Sequence, residues 1–395
     1  MVGLRSVWCS RSPTGRNWSP GSRIRSRLSP TACRGRAMQT MAYPLRPRAP
    51  CHFGGRGGGV EATALAARSD TLFSALCITL RELYGRAEVE RFVGQFPTAE
   101  DPEWAPPLLL SAGQPYAGDV RFYPRPLLPV PGLEDDPAEQ KHQKKINLVS
   151  ETIFRAWVGG GDVLQHYDRS EGGNLLHGGR VWVTANECAT LSDRFLDENT
   201  GQVRMWAVGD VPRVAVDRIS SGSSVYQAGQ VRFAPGAGLY LLVVWRGDAW
   251  RDRFWEVLQV LGDAGIGGER SSGYGLFTPL EPQRVDLPDV EGTDRWVTLS
   301  SCWPLPEQEG LLGPGAAYRL ENRRGWMDSP EGRNLRRKSV HMLEPGSVLR
   351  ALPGCTTYGG LADVTPGIFE AHVVWRYGLA LPVGYGGAHG GGDDG

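Results

Sequence analysis

Gly265-Ile266-Gly267-Gly268-Glu269-Arg270-Ser271-Ser272-Gly273-Tyr274-Gly275 lies between a helical pattern and a strand pattern, and that placement decides the fold. Upstream, from Trp250, the residues Phe254, Val257, Leu258 and Leu261 recur on one helical face, with Gly262 as the expected stop. Before that helix, Leu239 to Trp245 is an unbroken apolar run, as in a strand buried on both faces. After the loop, Leu276 to Leu280 reads as another strand. Strand, helix, glycine-rich turn and strand make the second half of a βαββαβ unit.

The first half lies upstream. Leu72, Phe73, Leu76, Leu80 and Leu83 fall at helical spacing, Asp70 is placed to cap that helix, and Gly85 to end it. Tyr43 to Phe53 is the matching first strand, although Pro44, Pro47 and Pro50 each remove a backbone donor. Between the halves, short apolar stretches at Leu108 to Leu110, Val181 to Val183 and Val211 to Val216 form a long insertion. After Pro288, strand-like segments at Trp296 to Trp303, Arg337 to Leu343 and Ile368 to Trp375 predict a second, smaller α+β domain.

At 395 residues and 43.1 kDa the chain has length for two cores. We divide it into an Arg-rich extension at 1–40, a first domain with its insertion at 41–285, and a smaller domain with a Gly-rich tail at 286–395. Residues 1–40 carry many Arg, Ser and Gly and no acid, so they are expected to be disordered, and an over-extended gene start explains them best. The seven Cys never approach C-x-x-C spacing, which gives neither a zinc knuckle nor a disulfide framework; reduced thiols of a cytoplasmic protein are expected. No apolar run is long enough for a membrane span. Lys+Arg and Asp+Glu balance at 43 each, so a polyanion site has to come from local clustering.

The glycine loop is such a site. Its bare N–H groups can line an anion-binding concavity, and Arg270, Ser271 and Ser272 add a charge and two hydroxyls. A dinucleotide fingerprint runs from strand into helix, whereas this loop leaves a helix and enters a strand, and it lacks the Lys-Ser/Thr ending of a triphosphate loop. A second cluster, Phe53 to Gly59, places His52 and Arg56 near one end of the sheet, either touching RNA or in a solvated loop. Basic and aromatic residues interleave at Arg121 to Arg125, at Lys141 to Lys145, and from Arg323-Arg324-Gly325-Trp326 through Arg336-Arg337-Lys338, the combination that holds single-stranded RNA. The seven His show no ligand spacing, so neither a metal nor a cofactor is expected. The closing Gly390 to Gly395 has aspartates but no flanking strands, and reads as a disordered tail.

Four segments in order resemble a known family: Phe53-Gly54 with Ser69 to Ala75; Lys144-Lys145-Ile146 with Ser150-Glu151 and Phe154; the glycine loop; and Trp375-Arg376-Tyr377-Gly378. They are similar to the RAMP superfamily of CRISPR-associated proteins, Cas5 group, and more narrowly to the fourth Csm subunit of type III-A effector complexes. The resemblance implies an α+β chain of two ferredoxin-like (RRM-like) RAMP domains with a large insertion in the first. It also implies a non-catalytic protein that grips the 5′ repeat tag of a CRISPR RNA. Its implied neighbours are the large polymerase-cyclase subunit and a backbone RAMP subunit, and the chain is not expected to form a homo-oligomer. Carried over by residue, Gly267, Gly268 and Gly273 meet tag phosphates beside Arg270, Ser271 and Ser272, and Tyr274 stacks on a base or packs. Ser69 and Thr71 open a helix that can hold another phosphate, Lys145 lies in the second matching segment, and Arg218 precedes a projecting hairpin. The alternatives are a metal-independent endoribonuclease that processes precursor CRISPR RNA with His52 as base, and the equivalent subunit of a type III-B complex.

Overall fold

The computed structural model describes residues 39–54, 62–134, 136–170, 173–216, 223–332 and 335–386. The expected disordered extension at 1–40, apart from Gln39 and Thr40, and the tail Gly390 to Gly395 lie outside these.

Seven elements make the first layer: β1 (Gln39–Pro47), α1 (Ser69–Tyr84), β2 (Leu108–Leu110), β3 (Gln114–Ala117), β4 (Ala237–Trp245), α2 (Arg251–Ala264) and β5 (Phe277–Pro279). The strand order is β5-β1-β4-β3, with β2 also on β4, and every pairing is antiparallel. That is the order a βαββαβ unit produces when each crossover skips one strand. All nine residues of β4 are buried, as its unbroken apolar run requires. The face carrying Tyr43 is covered by helix, with Tyr43 and Phe254 meeting edge to face at 5.1 Å.

The first strand starts earlier and stops sooner than Tyr43 to Phe53. It runs from Gln39 to Pro47, and Phe53 belongs to a separate short pairing with Ala64. Pro44 is tolerated in this central strand because its missing donor points at an interruption. Its carbonyl accepts from Leu280 N–H, which places its N side between the end of β5 and the short strand Gln283–Arg284.

Helix ends also differ from expectation. Asp70 does not cap α1: the helix begins at Ser69, Arg68 occupies the cap position without a side-chain capping bond, and Asp70 is buried in the first turn. Gly85 ends α1 as expected, at φ 82°. Gly262 does not end α2 but lies buried inside it, because a Cβ there would meet the Phe277 carbonyl oxygen of β5 at 2.5 Å. The helix stops at Gly265 instead.

The insertion extends the same sheet past β3 through Val120–Pro124, Leu148–Ser150 and Val181–Trp182, the last pair parallel. Its helix Ala185–Phe195 opens on a capping box between Thr184 and Glu187. It then sends out a long two-stranded ribbon, Trp206–Val216 against Ser223–Phe233.

Beyond residue 286, Arg295–Thr298 is the middle strand of a sheet with Val348–Arg350 and Pro382–Tyr385, flanked by the pairs Leu320–Arg323 with Val340–Leu343 and Leu361–Asp363 with Trp375–Tyr377. Ile368 is 81% exposed in a loop, so the strand expected from Ile368 to Trp375 begins only at Trp375. Helical structure among the described residues here is the 3₁₀ segment Pro306–Leu312. No helix among the described residues is long and apolar enough to cross a membrane. One hydrophobic core runs from Ala42 in β1 to Tyr385 in the last strand.

Candidate nucleic-acid interface

The glycine loop is held by backbone bonds on its inner side. Gly265 N–H donates to Leu261, and Ile266 N–H closes the loop on Gly275 at 3.0 Å. Below it runs the segment that leaves β1: Gly268 N–H donates to the His52 carbonyl at 2.9 Å and Gly275 N–H to that of Pro50 at 2.8 Å. Approach is so close at Gly267, φ 98°, that a Cβ would fall 2.2 Å from the His52 oxygen. At the tip, a 3₁₀ turn presents Arg270, Ser271, Ser272 and Gly273 to solvent.

This changes which loop groups are available. Gly268 and Gly273 spend their N–H groups inside the protein, Gly273 on Arg270. Those of Gly267, Arg270 and Ser271 make no backbone bond among the described residues. Tyr274 packs: it is 5% exposed, its hydroxyl donates to Gln230 Oε1 at 3.2 Å, and the Arg213 guanidinium covers its ring at 4.8 Å. Arg213 was silent in the sequence, where nothing marks it off from other ribbon residues.

Arg270 is paired with Asp328 at 2.8 Å, both partly exposed. That pair joins the loop tip to the Arg323 to Lys338 segment. There Trp326 is 58% exposed with the Arg336 guanidinium 4.7 Å from its ring, and Arg324 and Lys338 are exposed nearby in the chain. Loop, ribbon and basic–aromatic segment therefore converge, although they are distant in sequence. The face offers hydroxyls, free N–H groups, cations and one open indole.

Other expected contacts go elsewhere. The Ser69 hydroxyl is buried and accepts from Ser301 N–H at 3.1 Å, and Thr71 Oγ1 lies 3.3 Å from an Arg323 nitrogen that donates to it. The start of α1 is thus occupied by the chain's own C-terminal part. Burial alone would raise the Asp70 carboxyl, but Arg323 at 2.8 Å and Arg376 overcome it and hold it below the ordinary carboxylate range. In Arg121 to Arg125, Phe122 and Tyr123 are fully buried, Arg121 pairs with Glu151 at 2.7 Å, and Arg125 donates to the Ile146 and Leu128 carbonyls. Burial, with Arg319 adding to it, pulls the Arg125 guanidinium down to about 10. This stretch is a strand whose two aromatics are in the core and cannot stack on a base. Lys145 is exposed after the helix Pro137–Gln143. His52 is 8% exposed beneath Gly268, its Nδ1 donating to the Gly229 carbonyl at 2.8 Å. Arg56 and Arg218 lie outside the described residues.

Residues 291–385 match the family described as the CRISPR Csm4 C-terminal domain. A Csm4 protein of Thermococcus onnurineus (strain NA1) is 26% identical over 318 residues, covering 80% of this chain and 91% of that protein. A Csm4 protein of Mycobacterium tuberculosis (strain CDC 1551 / Oshkosh) is 25% identical over 339 residues, covering 84% and 94%. Among solved structures, a Csm3-Csm4 subcomplex in the type III-A CRISPR-Cas interference complex contains a chain similar at TM-score 0.58 and 14% identity, with 88% of this chain and 99% of that one covered. A Csm1-Csm4 cassette in complex with cA4 contains another at TM-score 0.53 and 22% identity, covering 89% and 100%. With the sheet order and the loop that closes it, these likenesses make the chain a Csm4-like RAMP subunit of type III CRISPR complexes.

Proposed function

We infer that this subunit binds RNA without cutting it, holding the 5′ tag of a CRISPR RNA in a type III-A interference complex. The observation that carries the reading is the Arg270–Asp328 pair, which brings the exposed loop tip onto the face bearing Trp326 and Arg336. Phosphates meet the loop hydroxyls and the N–H groups of Gly267, Arg270 and Ser271, and an unpaired base stacks on Trp326. The partners are the large polymerase-cyclase subunit and a backbone RAMP subunit, a reading supported by the Csm1-Csm4 and Csm3-Csm4 assemblies that contain similar chains. The chain works in the cytoplasm, without a cofactor.

RNA recovered from the native complex is the test. A small RNA with one constant 5′ sequence is expected, and random RNA or none overturns the reading. A repeat RNA incubated with the protein without metal is expected to stay intact, since His52 lies under Gly268 and away from solvent. Specific cleavage lost on His52→Ala would make the chain a nuclease.

A further inference from the structure

Across the sheet from its two helices lies a second basic–aromatic row. Leu45 pairs with Leu239, so the next residue, Arg46, falls beside Gly238, and Gly238 pairs with Tyr116, which pairs with Arg121. Neighbours in an antiparallel ladder share a face. Tyr43, two places before Leu45, meets α2, which puts Arg46 and its row on the opposite side. Deeper on that side Tyr240 and Tyr123 are buried, whereas Arg46 is exposed and Tyr116 half-buried.

The row is shaped for a flat ring. A Cβ at Gly238 would lie 2.6 Å from the Leu45 carbonyl oxygen and 2.8 Å from both Pro47 Cδ and Tyr116 Cε1, so the strand glycine lets the neighbouring strand and the phenol both close over β4. Arg194, exposed at the end of its helix, is seated the same way. A Cβ at Gly236 would fall 2.5 Å from its Nη2, and its guanidinium is 5.6 Å from the Phe195 ring. A Cβ at Gly118, two residues after Tyr116, would lie 3.3 Å from Arg194 Nη1, which places that cation at the same end of the strand as the ring. Burial raises the Tyr116 phenol, and the charges of Arg46 and Arg194 both oppose that rise. No carboxylate among the described residues pairs with either. Arg46 also precedes His52, under the glycine loop, by six positions, at most about 20 Å of chain.

We propose that Arg46, Tyr116 and Arg194 form a second single-stranded RNA contact, taking phosphates and one base of the strand that continues past the glycine loop. Two cations flanking a ring, with Arg121 already neutralised by Glu151, leave a net positive, ring-bearing surface that complements a phosphate chain. The proposal rests on the RNA-binding reading for its ligand, but its residues are separate from those of the loop.

The full chain, bound to labelled uridine-rich RNAs of about 6 and about 20 nucleotides, tests it over a salt series. The double variant Arg46→Ala/Arg194→Ala should bind the long RNA about tenfold more weakly. Its log–log salt slope should flatten by about 1.4, two phosphates at ~0.7 each, with the short RNA unaffected. Both substitutions are at exposed positions, and an unchanged melting temperature verifies the fold. Photo-crosslinks from 4-thiouridine in the long RNA should map to residues 112–121. If the double variant binds both RNAs like the wild type while Arg270→Ala weakens them, the row proposal falls and the loop reading stands. If Arg270→Ala has no effect and the double variant does, the loop reading falls and the row stands. If RNA binding is intact and only association with an acidic partner protein is lost, the row is a protein contact and the proposal is overturned.

Discussion

Asp70 shows what a single residue hides in the sequence. Its position before an apolar helical repeat reads as a cap, yet it is buried between Arg323 and Arg376. Those partners lie hundreds of positions away, so no local pattern announces them. The Tyr274 ring is similar: its neighbours in sequence leave stacking and packing open, and only Arg213 and Gln230 from the ribbon decide for packing. Substituting Asp70→Ala leaves Arg376, 2% exposed, buried without its paired carboxylate, and should cost about 3–5 kcal/mol in urea unfolding. The pH dependence follows from the depressed carboxyl. Its stabilisation is complete above the unfolded value of about 3.9 and is lost as pH falls through the lower folded value. Wild-type melting temperature should therefore drop on acidification below about pH 4, and the drop should be shallower in Asp70→Ala.

The glycine loop was the most legible element, because glycine density and the helix-to-strand placement are both local. Its hydrogen-bond accounting was not legible, since the acceptors for Gly268 and Gly275 lie on the Pro50 to His52 segment. The Arg121 to Arg125 stretch misled for the opposite reason: its two aromatics face the two sides of a strand buried on both, and charges at its ends say nothing of that. Two predictions belong here. Gly267→Ala puts a Cβ against the His52 carbonyl at a left-handed φ, so the segment below must move. Stability should fall by about 1–3 kcal/mol, and amide exchange should accelerate at residues 50–53. Asp328→Asn frees Arg270 from an exposed pair worth about 0.2–1 kcal/mol, and RNA affinity should rise up to about fivefold in an anisotropy titration. Weaker binding in Asp328→Asn would mean that the carboxylate, not the cation, faces the ligand.

At the scale of the molecule, the βαββαβ order was readable because strand, helix and strand leave period-specific patterns, and the sheet order follows from it. How the residues after 286 attach was not, because their contacts with the first layer are non-local. Ala112 N–H donates to the Leu299 carbonyl at 2.9 Å, Leu361 N–H to that of Pro97 at 2.8 Å, and Leu110 N–H to the Tyr377 hydroxyl at 2.8 Å. Phe73 of α1 lies 4.8 Å from the Tyr377 ring, and Leu299, Leu379 and Leu381 share the core of β1 and β4. Buried bonds of this kind cannot be opened one side at a time without exposing unpaired donors. A division at 286 would therefore be one of topology and not of cooperativity, and the residues on either side of it should unfold together. Calorimetry of the full chain is expected to give one transition whose van't Hoff and calorimetric enthalpies agree for residues 39–386. Two resolved transitions, with the lower abolished by deleting residues 286–395, would instead make the C-terminal part an independent domain and the shared core a loose contact.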